Sequence, residues 1–233
     1  DFIIEKQDGI WSTIGMEADA RRRHLWVVSS QAKEVLPLLD PDSLQWRSAI
    51  YQYNIDTGTL IDSCLLPLKN AFLNDLTVAP NGDVYVTESM QGGIYYLKAG
   101  SDRLELFLTP APYTFPNGIS FPDQPGQLFV STSEGVLKID ISKRRYDLLK
   151  TGESVNAKDI DGLTYDHGSL IGHQSTKVVR FVLNDKQDSI VHSNILDTGP
   201  DFDSSTTGEI GNDQYYFIVN SQIRSGIDFK KQA

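Results

Sequence analysis

One short phrase returns five times along these 233 residues, and its spacing limits the fold more than any other feature of the chain. Gly15-Met16-Glu17-Ala18-Asp19 leads through a turn to Leu25-Trp26-Val27-Val28-Ser29-Ser30, and Asp75-Leu76-Thr77-Val78 leads through Asn81-Gly82 to Val84-Tyr85-Val86-Thr87-Glu88-Ser89. Gly118-Ile119-Ser120-Phe121 and Gly162-Leu163-Thr164-Tyr165 open two further copies, closed by Leu128 to Ser133 and by Leu170 to Ser175. A degenerate fifth copy runs from Gly208-Glu209-Ile210-Gly211 to Tyr215 through Ser221. The anchors at 15, 75, 118, 162 and 208 lie 60, 43, 44 and 46 residues apart, the length of four short strands with their turns. The long first interval carries an extra loop from Val35 to Trp46.

A third strand follows each of the first four hairpins: Ile50 to Ile55, Gly93 to Leu97, Gly135 to Asp140 and Val178 to Leu183. Apolar residues fall in short runs bounded by Gly, Pro, Asn and Asp, without a sustained 3.6-residue stripe, so helix content should be very low. A small sheet of this kind cannot bury both faces alone, and copies that pack face to face around an axis solve the problem. The spacing therefore predicts one all-β domain over residues 1–233, a β-propeller. Five complete copies are joined by two loose ends, Phe2 to Glu5 and Ile227 to Phe229, which would pair as a partial sixth blade. The expected fold is thus six-bladed, with the first blade incomplete in this chain. Asn81-Gly82 reads as a type I′ hairpin turn.

Charge narrows the partners. Twenty-one Lys and Arg against 31 Asp and Glu give a net charge of −10, a field that repels phosphate backbones and anionic lipid and attracts cations. Neither nucleic acid nor a membrane is expected as a partner. The basic clusters Arg21 to Arg23 and Lys143 to Arg145 fall at turns. Cys64, the single cysteine, excludes an intrachain disulfide and sits in an apolar run that suits a buried thiol. The chain opens at Asp1 without a signal-peptide pattern, as expected of a processed chain or a piece of a longer one, cytoplasmic, or secreted or periplasmic after signal removal.

The residues just before each inner strand carry the chemistry. They read Phe72-Leu73-Asn74-Asp75, Phe115-Pro116-Asn117-Gly118 and Asp159-Ile160-Asp161-Gly162, and each places an amide or acid at one register of the repeat. Asx-Gly pairs are also ordinary turn formers, but recurrence at one register favours a shared site. Convergent oxygens of this type suit a hard divalent cation. His24 and His167 fall at hairpin turns, His192 in a polar stretch, and His173 on an inner-hairpin strand, where a satisfied core imidazole is expected. No Gly-x-Ser-x-Gly elbow, phosphate loop or dinucleotide fingerprint occurs.

These phrases resemble the blade openings of the SMP-30/gluconolactonase/LRE-like family, with paraoxonases and strictosidine synthases as distant relatives, over Trp11 to Gln222. The resemblance implies a calcium or zinc ion in the central channel and hydrolysis of a small-molecule lactone or ester. It implies Asn117 and Asp161 as metal ligands, Asp161 also as general base, and Asn74 with Asp75 as contacts to substrate or metal-bound water; Phe72, two residues before that pair, is the third expected substrate-binding residue. Two departures stand out. The family's glutamate ligand, from a Glu-Gly-Pro phrase, has no counterpart here beyond Glu17 or Glu209. Phe72 stands where sugar-lactone hydrolases carry arginine, which points to an apolar substrate pocket or to no sugar binding at all. The alternative is a propeller without catalysis that binds a small ligand or a protein.

Overall fold

The computed structural model describes residues 2–4, 7–31 and 47–221, and they divide between two compact units, Asp1–Pro116 and Asn117–Ala233. The loop at 35–46 and the closing segment Ile227 to Phe229 lie outside the described residues. So does the end of the opening segment, Glu5.

In the first unit, β1 (Ser12–Asp19), β2 (His24–Ser30), β3 (Ser48–Asn54) and β4 (Leu60–Leu66) form one antiparallel sheet in chain order. A second such sheet follows: β5 (Leu73–Val78), β6 (Val84–Glu88), β7 (Gly93–Leu97) and β8 (Glu105–Leu108). In the second unit, β9 (Ile119–Ser120), β10 (Gln127–Thr132), β11 (Gly135–Asp140) and β12 (Arg145–Leu148) make a third. The next is built from β14 (Leu163–Asp166), β15 (Ser169–Gln174), β16 (Lys177–Leu183) and β17 (Ser189–Thr198), with β13 (Lys150–Thr151) parallel at its edge. The hairpin of β18 (Gly208–Gly211) and β19 (Gln214–Phe217) ends the described chain. The short Gln7–Gly9 turn is the one helical element among the described residues, and no helix there is long and apolar enough to cross a membrane. Four-stranded meanders repeated in this way are blades, and the fold is that of a β-propeller.

Blades hold together through faces that are apolar on both sides. Between the first and second sheets, Trp26, Val28, Ile50, Leu76, Val84 and Val86 form one buried cluster. In the second unit, Phe129, Leu163, Leu170, Val179 and Phe181 play the same part. Each such side chain contributes about 1.5–3 kcal/mol relative to exposure. Cys64 is buried, its Sγ donating to Asp102 O at 3.1 Å, and the basic clusters sit at the turns expected of them.

The repeated glycine is explained by close approach between neighbouring inner strands. A Cβ on Gly15 would lie 2.7 Å from Asn74 O, and one on Gly118 would lie 2.5 Å from Asp161 O. One on Gly162 would collide with Thr206 O. Main-chain bonds cross the same gaps, Gly118 N–H to Asp161 O at 2.8 Å and Gly162 N–H to Thr206 O at 2.6 Å. The glycines therefore let adjacent inner strands touch backbone to backbone.

Each inner strand also carries an irregularity there. The β5–β6 register slips between Leu73 and Leu76, placing Asn74 and Asp75 at a β-bulge. Asn117 and Gly118 share the backbone of Ser131, and Asp161 and Gly162 share that of His173. In the fifth copy Ile218 N–H donates to Thr207 O, as Ser131 N–H does to Gly118 O and His173 N–H to Gly162 O. The equivalent of the anchor glycine is thus Thr207, one residue before the expected Gly208. Gly208 is a glycine for another reason, since a Cβ there would meet Tyr215 and Phe217 of its own hairpin. The Asn81-Gly82 turn also differs from expectation. Gly82 has φ +93° whereas Asn81 is not left-handed, so the pair closes a turn with one left-handed residue, Gly82 N–H bonding to Ala79 O at 2.8 Å.

Candidate functional site

The chain enters each bulge of the second unit by a left-handed residue. Asp159 has φ +50° two residues before Asp161, and Ser204 has φ +53° two residues before Thr206. Phe115, with φ +53°, stands at the same offset before Asn117. None is glycine, so each conformation costs about 1 kcal/mol or more and is maintained by its surroundings. Its effect is to turn the next residues so that the position before the anchor follows one path in each copy.

Asn117 and Asp161 are brought together. The Asn117 side chain hydrogen-bonds the Asp161 carboxyl, and Gly118 N–H holds Asp161 O from the same strand. Asp161 keeps some accessible surface as a residue, yet its carboxyl is closely surrounded. That burial pushes it up to about 6, against the opposing pull of Asn117. A carboxylate in such a place, with an amide as its hydrogen-bonding partner, is a centre for a cation or a proton. No group of three or more His, Cys, Asp and Glu side chains that could hold a metal gathers among the described residues. The side chains brought together at this point are one carboxylate and one amide, oxygen-bearing groups of a kind that suits calcium better than zinc.

His173 supports this corner. It is fully buried, and both ring nitrogens are engaged, Nδ1 with Ser205 Oγ at 2.7 Å and Nε2 with Tyr215 OH at 2.7 Å. Ser205 Oγ donates to Ile218 O at 2.9 Å, so it accepts from Nδ1–H, and Nε2 then accepts from the tyrosine. Burial pushes the imidazole down to about 4, which keeps it neutral. Its backbone meanwhile pairs with both Asp161 and Gly162. His173 is thus a satisfied core histidine with a positioning role. Its partners lie 32 and 42 residues further along the chain, too far for local sequence reading to find.

The first unit holds the other expected residues. Phe72 is buried, and its N–H donates to the fully buried Glu88 at 2.9 Å. Glu88 also accepts from Met90 and Gln91 N–H at 3.0 and 2.8 Å, fixing the corner after β6, a role that sequence reading missed. Asn74 is buried, with Nδ2 donating to Ser89 Oγ at 2.9 Å. Asp75 Oδ1 accepts from Leu76 N–H and lies against Gly15 of the preceding blade. Glu17 accepts from Val78 N–H, tying β1 to β5. Two clefts of about 190 and 350 Å³ in this unit are lined by other residues, one around Arg22, His24 and Cys64 and one around Ile3, Trp11 and Met16.

Known structures bear out the class of protein. No family model matches the chain, and no curated protein matches its sequence. Solved structures do match in fold. Virginiamycin B lyase from Staphylococcus aureus is similar with a TM-score of 0.60 at 14% identity, over 89% of this chain and 63% of that one. A chain of a nidogen/laminin complex aligns at 0.64 and 14%, over 90% and 72%. A candidate gluconolactonase aligns at 0.57 and 16%, over 92% and 87%. The class is accordingly the β-propeller, of a fold shared with a lyase, a chain of a nidogen/laminin complex and a gluconolactonase-like protein. This chain spans under two thirds of the length of the lyase.

Proposed function

We propose that the chain is a cation-dependent hydrolase of the SMP-30/gluconolactonase type that opens a small lactone or related ester, with Asp161 at its centre. The observation that carries this reading is the Asp161 carboxyl, crowded away from water, held by Asn117 and raised to about 6. A carboxylate sheltered from water in this way can take a proton from an attacking water. The Asp161 carboxylate and the Asn117 side-chain oxygen would hold calcium, completed by backbone carbonyls and water. When bound, such an ion polarises the ester carbonyl and acidifies water.

The chain's own part follows from this. Asp161 takes one proton from the attacking water as its oxygen forms the new bond to the acyl carbon. The bond from that carbon to the ring oxygen breaks, and Asp161 returns the proton to the departing alkoxide, leaving a hydroxy acid. Asn117 keeps the carboxylate oriented, and Gly118 N–H fixes the Asp161 backbone. The bonds of Phe72, Asn74 and Asp75 hold the second blade.

Calcium titration of the melting temperature, together with lactone and ester cleavage, tests this. Calcium at about 100 times its Kd should stabilise the protein by about 2.7 kcal/mol, and Asp161→Asn should remove both that gain and the hydrolysis. If calcium leaves the melting temperature unchanged and Asp161→Asn alters neither property, the hydrolase reading falls. A propeller that binds a ligand without catalysis then takes its place.

A further inference from the structure

Asp161 stands between two like neighbours, and sequence reading found one of them. On one side Gly118 N–H bonds to Asp161 O, and Asn117, one residue earlier, bonds the Asp161 side chain. On the other side Gly162 N–H bonds to Thr206 O in the same way, which makes Thr206 stand to Asp161 as Asp161 stands to Asn117. The backbone agrees in detail. Ser204 is left-handed two residues before Thr206, as Asp159 is before Asp161, and Thr207 accepts from Ile218 N–H as Gly162 accepts from His173 N–H. The corner is locked from behind by Ser205, which bonds both His173 and Ile218 O. Thr206 itself is half-buried.

We propose that Thr206 supplies the third side-chain oxygen of the cation site, next to Asp161 on the side away from Asn117. The inference rests on the reading of Asp161 as the centre of that site. A threonine hydroxyl is a neutral hard oxygen, so it completes a row of amide, carboxylate and hydroxyl from three successive inner strands without adding charge. It also accounts for the fifth copy, whose anchor was expected one position later, at Gly208.

Calcium chloride alone, titrated calorimetrically and by melting temperature into the full chain at moderate salt, tests the assignment. Thr206→Val keeps the shape and removes the oxygen, Thr206→Ser keeps the oxygen, and Thr207→Val removes the adjacent hydroxyl. Calcium affinity should fall about tenfold in Thr206→Val, the effect of losing one neutral ligand, and stay within about twofold of the parent in Thr206→Ser and Thr207→Val. Should Thr206→Val fail to fold, Thr206→Ala gives the same comparison against Thr206→Ser. If Asp161→Asn abolishes binding while Thr206→Val leaves it unchanged, the Thr206 assignment is wrong and the Asp161 centre stands. If Asp161→Asn leaves calcium affinity intact, the centre itself is wrong and the assignment falls with it.

Discussion

Gly118→Ala is the sharpest test of backbone contact between inner strands. Gly118 is not left-handed, so the folded-state effect of alanine there is steric. The new methyl would lie 2.5 Å from Asp161 O and 2.7 Å from Leu163 Cβ, so the two strands must separate. Overpacking of this kind costs about 1–3 kcal/mol, and stretching the Gly118 N–H to Asp161 O bond about 1 kcal/mol more. Alanine returns about 0.5 kcal/mol by restricting the unfolded chain. The expected loss is about 2–3 kcal/mol, which for a chain of this size lowers the melting temperature by about 5–10 °C. Gly199→Ala is the control, because nothing lies within 4 Å of its Cβ position and its φ is not positive. Urea unfolding of both variants measures the difference. If Gly118→Ala falls within about 0.5 kcal/mol of Gly199→Ala, a margin set by ordinary surface substitutions, the close-approach explanation is refuted.

Two further predictions concern buried groups. Asp161, raised to about 6, binds a proton in the folded state that the unfolded chain has lost, so it makes stability fall as pH rises from about 4 to 6. His173, lowered to about 4, does the reverse, making stability rise from about 4 to 6.5. Each is worth about 3 kcal/mol at most, and in the parent they oppose one another. Without calcium, the stability of Asp161→Asn relative to the parent should therefore climb across that window and that of His173→Gln should decline; flat difference curves from pH 4 to 7 would disprove both assignments. Glu88→Ala removes an acceptor from three backbone N–H groups and should cost about 3 kcal/mol, with Glu88→Gln intermediate. A loss under about 1 kcal/mol by denaturant unfolding would show that water replaces the carboxylate.

The blade pattern was legible because it depends on local chemistry. Hairpin turns, alternating apolar residues and the glycine of close approach all sit within a few residues of one another, so the spacing of 43 and 44 between anchors carried through to the sheets. The fifth copy misled for a physical reason. Gly208 resembles an anchor glycine, but it makes room for Tyr215 and Phe217, and the true equivalent is a threonine. Asn81-Gly82 misled similarly, since the bond from Gly82 N–H to Ala79 O centres the turn on Pro80 and Asn81 and leaves Gly82 as the left-handed residue that closes it. The pairing of Asn117 with Asp161 could be anticipated from register. The enclosure of His173 could not, because the hydroxyls that satisfy it come from another hairpin. Glu88 escaped notice because a buried acid reads in sequence like any strand-end polar residue.

The ladder that joins Asn117, Asp161 and Thr206 divides labour within single residues. Main-chain atoms carry the mechanical load, through the carbonyls of Asp161 and Thr206, which accept from the preceding inner strand, and the amides of Asn117 and Asp161, which reach across their hairpins. Side chains at these three places are therefore released from architectural duty. An amide, an acid and an alcohol occupy equivalent stations without altering the path of the chain, so the chemistry on display can be exchanged one residue at a time while the scaffold beneath it stays as it is.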